Sequence, residues 1–67
     1  MNDGRLTRSE QHCEEIERFL NSNAEVLPKK LYGREITSLQ RKYPEIIITK
    51  GEKYRGSLYN CFITKKL

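Results

Sequence analysis

A chain of 67 residues, 36% hydrophobic and 33% charged, is enough for one domain with a core of about ten side chains and too short for two. Its net charge of +4 is unevenly spread: residues 1 to 25 carry three arginines against six acids, and residues 26 to 67 carry ten lysines and arginines against three acids. That asymmetry fits a small domain turning one side to a polyanion, and the chain lacks both the roughly 18 apolar residues of a membrane span and the apolar run of a secretory leader.

Residues 1 to 6, MNDGRL, read as a flexible leader. Thr7 and Glu10 have the spacing of a capping box, which starts a helix at Arg8. From there to Asn21 the apolar residues Cys13, Ile16, Phe19 and Leu20 share one face, the acids fall elsewhere, and Glu14 can pair with Arg18. Asn21, Ser22 and Asn23 end this acidic scaffold helix. In AEVLPKKLYG, Pro28 suits a first helical position, so a short second helix is expected from Pro28 to Tyr32.

The segment from Gly33 to Pro44, GREITSLQRKYP, has the character of a recognition helix over about residues 34 to 43. Ile36, Leu39 and Tyr43 repeat at helical spacing and turn inward, leaving Arg34, Thr37, Ser38, Arg41 and Lys42 outward. Gly33 marks the break before it, and Pro44 disfavours helical geometry in Tyr43. EIIITK and SLYNCFIT then read as strands, the second with Tyr59, Cys61 and Ile63 on one face and Leu58, Asn60 and Phe62 on the other. The connection KGEKYRG makes them an antiparallel hairpin whose tip, residues 50 to 56, carries Lys50, Lys53, Tyr54 and Arg55. Lys65, Lys66 and Leu67 form a basic tail.

Nothing in this pattern supports catalysis. His12 and Cys13 are adjacent and point about 100° apart on a helix, so they do not form a nucleophile and base. Cys13 and Cys61 lack metal-like spacing, and without a leader both are expected as reduced, semi-buried thiols of an intracellular protein. No cofactor, metal or small-molecule substrate is expected.

In the order helix, short helix, helix and basic hairpin, the chain resembles a winged-helix domain, the helix-turn-helix variant whose hairpin forms a wing. Leu31, Tyr32, Gly33 and Leu39, followed by Tyr54, Arg55 and Gly56, are also similar to the small C-terminal domain of phage, plasmid and viral primase-helicases. The resemblance implies an α+β fold of three helices and a two-stranded hairpin over residues 7 to 63. It also implies double-stranded DNA binding in replication or regulation of a mobile element or virus.

In such a domain Arg34, Thr37, Ser38 and Arg41 face base edges in the major groove and Lys42 reaches a phosphate. Lys29 and Lys30 suit phosphate contacts at a helix start. Lys50, Lys53, Tyr54 and Arg55 lie along the backbone or in the minor groove. Two alternatives remain, a protein-binding module docking through Glu10, Glu14 and Glu17 and an RNA ligand, and self-association is a further partner to consider.

Overall fold

The computed structural model describes residues 7–67, so the leader expected at 1–6 lies outside the described residues. Five elements follow one another: α1 (Arg8–Leu20), β1 (Val26–Tyr32), α2 (Gly33–Lys42), β2 (Ile46–Arg55) and β3 (Leu58–Lys65). The three strands form one antiparallel sheet in the order β1-β3-β2. The class is α+β, but the described residues hold two helices and a three-stranded sheet, not three helices and a two-stranded hairpin.

One segment accounts for the difference. The short helix expected at Pro28–Tyr32 is strand β1, paired with β3 from Val26↔Thr64 to Tyr32↔Leu58. Its apolar residues Leu27 and Leu31 lie four apart, a spacing that suits a helical face and a strand face equally. Pairing with β3 decides for the strand, and Pro28 is tolerated because β1 is an edge strand. With a strand before α2, the described residues hold no helix-turn-helix.

Helix α1 begins as its sequence dictates. The Thr7 hydroxyl accepts from the Glu10 N–H, the Glu10 carboxylate accepts from the Thr7 N–H, and Asn21 caps the other end. The expected Glu14–Arg18 pair is not among the ion pairs of the described residues, which join Arg8 and His12 to Glu35 and Lys29 to Glu15. Helix α2 runs from Gly33 itself, with Tyr32 as its N-cap and Tyr43 as its C-cap.

Cross-strand partners project from one face. One face therefore carries the rows Leu27–Ile63–Ile48, Lys29–Cys61–Lys50 and Leu31–Tyr59–Lys53. The buried core lies on this side, where Ile16 and Phe19 of α1 and Leu39 of α2 meet Leu31, Tyr43, Ile46, Cys61 and Ile63. The expected faces of β3 are as observed. Neither Cys13 nor Cys61 is disulfide-bonded, and burial pushes the Cys61 thiol up from its ordinary pKa. No helix among the described residues is long and apolar enough to cross a membrane.

Strand β2 continues through what its glycine suggests is a loop. Its register shifts between Lys50 and Lys53 and again between Lys53 and Arg55, so residues 50 to 55 form an irregular strand instead of a free tip. Gly56, at φ 56, makes the turn. Lys65, expected in a tail, is part of β3 and donates to the Ser22 carbonyl.

Gly51 is fixed by space. A Cβ there would lie 2.7 Å from the Asn60 carbonyl oxygen and 3.6 Å from the Phe62 ring. Asn60 belongs to the central strand and cannot retreat without moving the pairing, so Gly51→Ala should destabilise the fold by about 1–3 kcal/mol. Gly33, with nothing within 4 Å of the added Cβ, is the control. Gly33→Ala should hold or raise stability, by up to about 1 kcal/mol. Urea denaturation of both variants checks this, and equal stabilities would contradict it.

Candidate nucleic-acid interface

Helix α2 presents one uninterrupted polar face. Arg34, Thr37, Ser38, Arg41 and Lys42 are all exposed, and helical spacing keeps them within one side of the cylinder. The opposite side carries Ile36, Leu39 and Gln40 toward the sheet. The Gln40 side-chain amide donates to the Ile46 carbonyl and accepts from the Ile48 N–H at 2.9 Å, which fixes the end of α2 against β2.

The single acid of α2, Glu35, is turned away from the exposed face. Its carboxylate accepts from Arg8 Nε at 2.8 Å, from Arg8 Nη2 at 3.3 Å and from the Tyr32 N–H at 2.9 Å. Burial by itself would raise its pKa, but these hydrogen bonds and the neighbouring imidazole outweigh burial and hold it below the usual carboxylate value. The outward face of α2 is therefore cationic and hydroxyl-bearing, with no negative charge among its five residues.

The remaining predicted contacts divide into groups. Lys50 and Lys53 lie on the helix-bearing side of the sheet with Tyr59, and the Lys50 ammonium sits 4.6 Å from the Tyr59 ring centre. Residues 49 to 57 are all exposed, so this part of the hairpin projects beyond the core. Its turn returns toward α2, where Ser57 shares a shallow concavity with Tyr32, Gly33 and Arg34. Arg55 pairs with Leu58 beside that turn.

Lys29 and Lys30 are not at a helix start, because no helix starts there. The Lys29 ammonium bonds Glu15 of α1 and its side chain is only 9% exposed, so it holds α1 onto β1. Lys30 projects from the other face, 4.8 Å from the centre of the Tyr54 ring. These two lysines and Tyr54 thus lie apart from the surface of α2.

Two residues of α1 outside the predicted contacts also build this site. Arg8, besides holding Glu35, donates to the Lys30 carbonyl at 3.2 Å and lies 5.0 Å from the Tyr32 ring centre. His12 is buried in the core side of α1, with Nε2 3.5 Å from the Glu35 carboxylate and no hydrogen bond to either ring nitrogen among the described residues. Its i, i+4, i+7 spacing with Ile16 and Phe19 was the available signal. The acids of α1 are mostly committed internally: Glu10 to the capping box, Glu15 to Lys29, and Glu17 to the Tyr43 hydroxyl, which donates at 2.7 Å. Burial and that bond push the Tyr43 phenol up.

No cluster of three or more His, Cys, Asp or Glu side chains suited to a metal occurs among the described residues. Compared with known proteins, the chain matches no family model, no curated protein and no solved structure.

The polar joint beneath α2 makes stability depend on pH. Burial, then Lys29 and Arg8, lower the His12 pKa from 6.5 against the opposing pull of Glu35 and Glu15. The unfolded chain therefore binds a proton that the folded chain refuses, and stability falls as pH drops below 6.5. Glu15, held down chiefly by its bond to Lys29, and Glu35 add a second loss as pH falls below 4.5. Thermal melts from about pH 8 to about pH 4 should show both stages, and His12→Leu should remove the first. A native melting temperature that stays level down to pH 4.5 would contradict this.

Proposed function

We propose that this chain binds double-stranded DNA, with the outward face of α2 in the major groove and the hairpin cations on the flanking backbone. The observation that carries the reading is the α2 face, where Arg34, Arg41 and Lys42 stand exposed with Thr37 and Ser38 between them while Glu35 is turned inward and neutralised. An α-helix with its side chains is about 10–12 Å across and the major groove is about 12 Å wide, so α2, of 10 residues, can lie in the groove with its polar side toward base edges. Arginine pairs with the two acceptors of guanine, and the hydroxyls suit several bases or the thymine methyl.

Lys50 and Lys53 extend the positive surface from the same side of the sheet, while Arg55, paired with Leu58 of the opposite face after a register shift, stands at the hairpin end. Lys29 is a structural cation in this reading. The deep, narrow major groove of duplex RNA would exclude α2, so DNA is the expected duplex.

Fluorescence anisotropy with a random-sequence DNA duplex tests the proposal. On a random duplex, six cations (Arg34, Arg41, Lys42, Lys50, Lys53 and Arg55) meeting phosphates predict a loss of affinity of about a thousandfold between about 50 and 200 mM salt. Replacing Lys53 and Arg55 together with alanine should flatten the logarithmic salt slope by about 2. Arg34→Ala and Arg41→Ala should each cost about 1–3 kcal/mol on a selected sequence. Absence of salt-sensitive binding, or equal binding of duplex RNA, would refute the proposal.

A further inference from the structure

Both free edges of the sheet are closed by the protein itself. On β1, Pro28 offers no N–H, and Arg8 occupies the Lys30 carbonyl. On β2, the Gln40 amide takes the Ile46 carbonyl and the Ile48 N–H, and register shifts distort residues 50 to 55. Such features prevent edge-to-edge pairing.

The sheet face opposite the helices has no comparable cover among the described residues. Its first two rows, Val26–Thr64–Ile47 and Pro28–Phe62–Thr49, contain no charged residue. Val26, Ile47 and Phe62, with Tyr32 and Tyr54, are between 37% and 55% exposed. Beside the Phe62 side chain, Pro28, Lys30, Glu52 and Asn60 help to line an open concavity of about 450 Å³.

We propose that this face is a self-association surface, on which a second copy of the chain packs sheet against sheet about a two-fold axis. Phe62 of each copy occupies the concavity of the other. A half-exposed ring beside a hollow on one patch is what a two-fold contact needs, because each copy must supply both halves. Charge points the same way. Lys30 is stacked on Tyr54 and shares its concavity with Glu52, and Arg55, paired with Leu58, stands at the far end of the face, so the two uncharged rows neither repel their own copy nor supply the row of cations that a polyanion requires.

The available area sets the strength. Three strands about 4.8 Å apart, with a rise of about 3.3 Å per residue, give a face of roughly 350 Å² in projection. With side-chain relief, two such faces bury on the order of 1,000 Å², the lower end for a specific interface, so association should be weak and concentration-dependent. Packed sheets lie about 10 Å apart, with both helical layers outside. On the DNA-binding reading, the two α2 faces would point away from each other and remain free.

Sedimentation equilibrium of the full chain without DNA, from about 5 µM to about 1 mM, provides a test separate from DNA binding. The average mass should climb from 8.0 kDa toward twice that value. Ile47→Lys and Phe62→Lys should each weaken association at least about tenfold while leaving the far-ultraviolet circular dichroism unchanged. Thr49→Lys, at an exposed position in the Phe62 row, serves if either variant unfolds. A monomer at every concentration would overturn the proposal, as would a dimer indifferent to substitutions on this face. So would a monomer whose Ile47 and Phe62 resonances shift on adding a short single-stranded oligonucleotide.

Discussion

The carboxylate of Glu35 is the joint on which the arrangement depends. It receives Arg8 from α1 and the Tyr32 N–H from the end of β1, and His12 stands 3.5 Å away. Arg8 is half exposed, so solvent screening keeps the net energy of the ion pair modest. Its larger effect is positional. Drawing Glu35 inward sets the rotation of α2 about its own axis, which puts Ile36 and Leu39 toward the sheet and the cations toward solvent. The same guanidinium occupies a β1 carbonyl, so the contact that orients α2 also helps to close a sheet edge.

A buried imidazole next to this joint gives it a weakness. The environment of His12 disfavours its charged form through burial and through Lys29 and Arg8, while Glu35 favours that form. These opposing influences act within a core of few side chains, where one ionisation is a large fraction of total stability. Lys29–Glu15 and Tyr43–Glu17 tie the other side of α1 to β1 and to the end of α2. The acidic character of α1 is therefore largely consumed in holding a basic protein together.

Much of this was legible where local chemistry is unambiguous. Thr7 and Glu10 form the expected capping box, Ile36 and Leu39 face inward, and Tyr59, Cys61 and Ile63 share one side of their strand. The error at Pro28–Tyr32 has a definite cause: Leu27 and Leu31 satisfy two periodicities, and the choice depends on β3, about thirty residues away in sequence. Gly51 and Gly56 suggest a hairpin tip over residues 50 to 56, because glycine usually interrupts a strand. Here Gly51 admits the close approach of Asn60 and leaves room for Phe62. The exposure of Arg34 and Arg41 followed from helical spacing, whereas the capture of Lys29 by Glu15 required tertiary contact that spacing cannot reveal.

The sheet separates the protein's two exposed surfaces by side-chain direction. On β1, Lys29 and Lys30 are neighbours in sequence but project from opposite faces, one into an ion pair with α1 and the other onto Tyr54. On β3, Cys61 enters the core while Phe62 stands on the open face, half exposed. A single-residue slip of β3 would exchange these roles, burying Asn60 and Phe62 and exposing Tyr59, Cys61 and Ile63. Pairing to strands on both sides, together with the Gly51 contact, resists that slip. The register of the central strand thereby maintains both the packed side that supports α2 and the open side, against which no helix of the described residues lies.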